Sequence, residues 1–208
     1  MVNYRPYHNA LNGLSKKYET GFVRSVGPIF ELNNPFDLSF DEIDGQNRSD
    51  AYRYLRDNFD AFQSPYSIAA FELGNAIYSS NRDLAERKSG KVFPVFQKPD
   101  LTKELLDDNL IPFWEITGLL KKVYNGNATL NWVAQIGSRG LSDLARASTV
   151  AAADNDKKLK KYPVVALQSG ACDFCVQMAK NIDHSGVWKK SDASFHSGCR
   201  CAIVFEYV

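Results

Sequence analysis

All four cysteines of this 208-residue chain fall between Cys172 and Cys201, in the last fifth of the sequence. They form two clusters: Cys172-Asp173-Phe174-Cys175 and, twenty residues further on, His196-Ser197-Gly198-Cys199-Arg200-Cys201. A two-residue gap lets both sulfurs of the first cluster turn toward one point, and the second cluster can then supply the opposite half of a tetrahedron. Five soft or borderline donors of this kind suit zinc. Four ligands close a structural site, so one of the five is spare unless a thiolate bridges. The favoured set is Cys172, Cys175, His196 and Cys201. Cys199 is the alternative fourth ligand, because residues 199 and 201 point the same way only in an extended segment. Phe174 and Phe195 are placed to shield the sulfurs from water. The competing readings, two disulfides or four reduced core cysteines, leave the histidine inside the second cluster unexplained.

The compartment bears on that choice. The opening Met1-Val2-Asn3-Tyr4-Arg5-Pro6-Tyr7-His8 lacks the apolar stretch of a secretory signal, and no run approaches membrane-spanning length. The expectation is a chain folded in the cytoplasm, where clustered cysteines read as metal ligands before disulfides. Hydrophobic content of 44% with 24% charged residues is that of an ordinary globular protein. A formal net charge of +1 argues against attachment to nucleic acid by bulk charge alone. The charge is uneven, however: from Lys157 onward eight Lys or Arg face four Asp or Glu, giving +4, against 17 minus 20, or −3, for the rest.

Upstream of the cysteines the period is helical. Tyr7, Leu11, Leu14, Tyr18 and Phe22 share one face. Tyr52, Leu55, Phe59 and Phe62 form a second stripe that is expected to end at Ser64-Pro65, with Ser64 capping and Pro65 opening a third helix through Tyr66, Ala70, Leu73, Ile77 and Leu84. That helix stops near Ser89-Gly90. Lys91 to Pro99, with two prolines and alternating Phe93 and Phe96, reads as an extended crossing segment packed on something. Helix resumes at Phe113, Ile116, Leu120 and Val123, breaks at Asn125-Gly126, and restarts with Leu130, Val133, Ile136, Leu141 and Leu144. Gly137 and Gly140 mark a close helix contact or a kink.

The charged run Asp154 to Lys161 ends the helical pattern and marks a boundary, and its lysines, Lys157 to Lys161, read as a solvated linker. It divides a helical body of several amphipathic helices, residues 1–156, from a C-terminal module, residues 157–208. In the module Val164 to Leu167 reads as one strand, and Ile203, Phe205 and Tyr207, alternating with Val204 and Glu206, as another. The fold class is therefore mainly α, with a small C-terminal α+β module stapled by zinc.

The run Ser169-Gly170-Ala171-Cys172-Asp173-Phe174-Cys175-Val176-Gln177-Met178-Ala179, followed by Phe195-His196-Ser197-Gly198-Cys199-Arg200-Cys201 and a closing strand, resembles the ending of phage Mu F-like minor head proteins, above all the members from phages of actinobacteria. The likeness covers the last fifth to quarter of the chain. Those relatives often carry an Arg-Gly pair where this chain has Lys180-Asn181-Ile182, so the turn leaving the short helix is expected to differ. The resemblance implies a low-copy minor capsid protein at the portal vertex that assists head assembly and genome packaging or ejection. Its implied partners are the portal, the major capsid protein or both, and a head protein beside packaged DNA could contact it weakly. Its implied location is the host cytoplasm during assembly and the virion afterwards.

Two other classes compete. A zinc-stapled nuclease needs spare catalytic groups. With His196 committed to metal only His184 stays nearby, without a partner carboxylate at useful spacing, so no enzyme and no small-molecule substrate are expected. A nucleic-acid-binding knuckle draws support from Lys157 to Lys161, Trp188, Lys189, Lys190 and Arg200. No Gly-rich phosphate loop follows a strand. His8 and His184, taken singly, read as surface or core residues.

Overall fold

The structure, a computed structural model, describes residues 4–29, 50–168, 171, 173–181, 199 and 201–208. It is mostly helical, with one small C-terminal sheet. Helix α1 (Arg5–Gly21) opens with a proline in its first turn, where a missing N–H costs nothing. It runs into a π turn at Phe22–Val26 that buries both Phe22 and Val26. Of the stripe read from the sequence, Leu11, Tyr18 and Phe22 are buried and Tyr7 and Leu14 partly so, with Ser15 buried beside them.

Helix α2 spans Asp50–Ser89 without a break, so the expected division at Ser64-Pro65 is corrected: Pro65 lies inside the helix. A proline there removes the bond to the carbonyl four residues back and crowds it. The defect is placed where it does least harm, because Pro65 and Ala61 are both exposed and water can reach the released carbonyl. Just beyond it, the Ser67 hydroxyl donates to the Gln63 carbonyl at 3.0 Å. Burial on both sides of the proline holds the two halves in line. Phe62 and Tyr66 stack around Tyr18 at centroid distances of 5.2 and 5.3 Å, and Phe59 packs on Phe113 at 5.6 Å. The helix stops at Gly90, whose φ of +67° suits a residue without a Cβ.

The segment after Gly90 is extended, as its prolines indicate, and braces the helices: Phe93 and Phe96 turn inward while Val92 and Val95 stand out in solvent. Helix α3 (Lys103–Asn109) was not legible in the periodicity. Its N-cap is Thr102, whose hydroxyl accepts from the Leu105 N–H. Helix α4 (Phe113–Tyr124) ends at Asn125-Gly126, with Gly126 at φ +74°. Helix α5 (Leu130–Asn155), capped by Thr129, is the central element and touches α1, α2, α3 and α4. Small residues permit this. A Cβ on Gly74 of α2 would fall 2.1 Å from the Ala145 carbonyl oxygen, and one on Gly137 would fall 2.6 Å from the Tyr18 hydroxyl. Gly137 and Gly140 mark close contacts, the first with the Tyr18 ring and the second with the Asn109–Ile111 backbone.

Strand β1 (Lys161–Ala166) pairs antiparallel with β2 (Ala202–Tyr207), Lys161 opposite Tyr207 and Ala166 opposite Ala202. Between them lies the short helix α6 (Asp173–Asn181). Strand β2 is buried on both faces through Phe205 rather than on alternate residues. Ala202 and Val204 join the core of the helices, while Ile203 and Phe205 join a second cluster with Tyr78, Ala152, Ala153 and the cysteines. The Asn81 side chain of α2 accepts from the Phe205 N–H at 2.8 Å, and His8 of α1 bonds the Ala166 carbonyl at 2.8 Å. His8 is therefore a structural tie between α1 and β1.

Candidate metal centre

Three cysteines converge in that second cluster. Cys175 comes from the first turn of α6, where the positive end of the helix favours a thiolate. Cys199 and Cys201 come from the segment leading into β2. All three are buried, none is in a disulfide, and their sulfurs lie within 4.8 Å of one another. The Cys175 and Cys199 sulfurs are 3.4 Å apart, well beyond an S–S bond of about 2.05 Å. A tetrahedral zinc with Zn–S bonds of about 2.3 Å sets its sulfurs about 3.8 Å apart. The cluster is therefore of a size that could hold a metal ion.

Backbone groups support the sulfurs: the Gln168 N–H reaches Cys201 Sγ at 3.5 Å and the Cys201 N–H reaches Cys199 Sγ at 3.4 Å. Such N–H···S bonds orient thiolates and delocalise their charge. Thiol protons divide unevenly within the group. A hydrogen bond from Cys201, reinforced by the positive charge of Arg146, holds Cys199 well below the usual thiol range, whereas Cys201, as the donor in a buried setting, is pushed up.

Arg146 is the residue that sequence reasoning missed. It sits on α5, almost fully buried, and its guanidinium donates to the Cys201 carbonyl at 3.1 Å and to Asp143 at 2.5 Å. A positive charge beneath a group of thiolates offsets their excess negative charge. A signal existed: Asp143 and Arg146, an i,i+3 pair, interrupt the apolar run of Leu141, Leu144 and Ala145 on the helix face that packs inward.

Of the five proposed ligands, the structure brings together Cys175, Cys199 and Cys201. Both Cys199 and Cys201 belong to the group, although the sequence reading treated them as alternatives. Cys172 and His196 lie outside the described residues, as do His184, Trp188, Lys189, Lys190, Phe195, Arg200 and the side chain of Phe174.

Beside the cysteine cluster, the charged boundary run holds a buried charge cluster. Asp156, 2% exposed, accepts from the Tyr78 hydroxyl and from Arg82 Nε, each at 2.8 Å. The Lys161 ammonium donates to the Asp156 carbonyl and to that of Leu159. Arg82 also bonds the Pro94 carbonyl and lies over the Phe93 and Phe96 rings, at 5.4 and 5.2 Å from their centroids. The run from Asp154 to Lys161 is therefore anchored at two points.

A family model described as VG15 protein matches residues 33–207, from the segment before α2 to the end of β2. The chain belongs to this phage-associated family. No curated protein and no solved structure matches it. Among the described residues no helix is long and apolar enough to cross a membrane.

Proposed function

We propose that this protein is a minor head protein of the Mu F type, a low-copy component that joins the portal vertex or the major capsid protein and aids head assembly and genome packaging or ejection. The observation that carries the reading is the buried cluster of Cys175, Cys199 and Cys201 in a member of a phage-associated family, set in the very stretch that resembles the Mu F ending. In this reading the ion is Zn2+, held by those three sulfurs with Cys172 or His196 as the fourth donor. It supplies folding energy to a module whose apolar core is small, and it has no catalytic part. The chain works in the host cytoplasm and then in the virion, without enzymatic activity.

Contacts with the head fall mainly to the helical body. Trp114, Tyr124 and Trp132 stand 58%, 64% and 39% exposed on α4 and α5, and large aromatics of this kind anchor interfaces. The test is mass spectrometry of purified mature heads together with co-purification of the portal. A chain found in heads at a few copies, lost when Trp114 and Trp132 are both changed to alanine, supports the proposal. A chain recovered only free in the lysate, with heads complete without it, overturns it.

A further inference from the structure

A groove of about 790 Å³ opens on the side of the molecule where the end of α2, the brace after Gly90 and the ends of both strands meet. Its rim carries Lys88, Lys91, Lys158 and Lys160, all exposed. Among the described lining residues the one acidic side chain is Glu206, which already accepts from the Tyr162 hydroxyl at 2.6 Å. The wall is apolar, with Leu84, Pro94 and Phe205, and Val92 beside them stands 91% exposed. Val95, at 93%, faces out from the same brace. Val92 on the groove and Val95 further along the brace are thus bare among the described residues, beside a rim of four like charges.

We propose that this groove is a docking site for an extended, acidic and apolar segment of a partner protein. Such a segment sends successive side chains to opposite sides, so acids can meet the lysine rim while apolar residues cover the valines and the wall. Charge complementarity selects an acidic occupant, and the apolar wall selects a peptide over a nucleic acid. Bases need free aromatic faces to stack on, but of the aromatic lining Phe93 packs on Tyr207 and the Arg82 guanidinium, Phe205 on Tyr78 and Tyr4 on Tyr7, and the Tyr162 hydroxyl is held by Glu206. The inference stands apart from the head-protein reading, because the groove is defined by its own chemistry and is tested with defined peptides.

The probe is a fluorescein-labelled pool of octapeptides with Glu at alternate positions and mixed Val, Leu, Ile and Phe between, titrated by anisotropy against the full-length protein. A matching pool with Gln in place of Glu and a labelled single-stranded DNA serve as comparisons. The acidic pool should bind about tenfold more tightly than either, and Lys88→Glu/Lys158→Glu should weaken it by about tenfold. Lys16→Glu/Lys103→Glu, remote from the groove, should not. If the charge reversal disturbs folding, Lys88→Gln/Lys158→Gln gives the same reading with a smaller loss, and Val92→Ser/Val95→Ser isolates the apolar part. No binding of the acidic pool, equal binding of the Gln pool, tighter binding of DNA, or indifference to the groove lysines each overturns the proposal.

Discussion

The helical body and the C-terminal module reach stability by different means. In the body, long stripes from α1, α2 and α5 interdigitate, and glycines at 74, 137 and 140 let backbones approach until dispersion contacts are dense. In the module, two six-residue strands and a nine-residue helix enclose three cysteines, and the sulfurs occupy the centre where the body has leucine and phenylalanine. Burial alone sustains the first design. The second buries less apolar surface of its own and shares Ala166, Ala202 and Val204 with the core of the helices, so a bound ion is expected to matter more there. The body is thus expected to tolerate loss of metal, while the module is not.

The largest effect should follow from breaking that distinction directly. One zinc per chain is expected by elemental analysis of protein purified under reducing conditions. Its removal by a chelator forfeits binding energy on the order of 10 kcal/mol at neutral pH. Hydrogen exchange should then become fast across β1, β2 and α6, while the middle of α2 and α5 stays protected. Cys175→Ser, Cys199→Ser and Cys201→Ser should each reproduce the pattern, since all three sulfurs belong to the group. Unchanged protection after chelation would show that the module is held by packing alone.

The seam between the two regions gives the next effect. Asp156 closes the body, yet its carboxylate receives Tyr78 and Arg82 of α2, and its carbonyl receives Lys161 of β1. Asp156→Asn keeps the shape and leaves buried Arg82 with, among the described residues, the more distant Glu86, 3.8 Å away, for a carboxylate partner. Breaking a buried pair in this way costs about 3 kcal/mol, measured by urea denaturation. Two-step unfolding in this variant, where the native chain unfolds in one, would show that the charge cluster couples the regions. A change below about 0.5 kcal/mol would remove it from that role.

The body's helices were legible because amphipathic stripes carry their own period. Leu11, Tyr18, Leu55, Phe59, Ile116 and Leu144, each on a stripe read from the sequence, are all buried. Pro65 misled because Ser-Pro has the same local chemistry at a helix start as on the wet side of a continuous helix, and only the packing of Phe62 and Tyr66 decides between them. Spacing brought the cysteines to notice, and the Asp143–Arg146 pair marked Arg146 as a charge on an apolar face, but not its use, which depends on Cys201, 55 positions away. The same holds for Asp156. A charged run looks like a solvated linker until residues 74 and 78 positions upstream are known to fold against it.

Within the body, tight and open positions can be told apart by one methyl group. Gly74→Ala should destabilise by about 2 kcal/mol, because the new Cβ meets the backbone of Ala145 and neither helix can yield. A loss this size is easily read from a urea midpoint. A neutral result would mean that α2 and α5 lie further apart than described.

The smallest effect has the opposite sign. Gly118 lies within α4, with nothing inside 4 Å of the place its Cβ would take. Alanine there fills empty space and restricts the unfolded chain more than glycine does, so Gly118→Ala should raise stability by about 0.5–1 kcal/mol. The position is not idle with respect to function, because Gly118 stands four residues after the exposed Trp114 and so on the same face of the helix. If Trp114 anchors a head partner, the added methyl should leave folding improved but slow association with that partner. Raised stability with unchanged incorporation into heads would move the contact surface away from α4, toward Trp132 on α5. Lowered stability would show that this face of α4 is covered in the folded chain, and would count against α4 as the docking face.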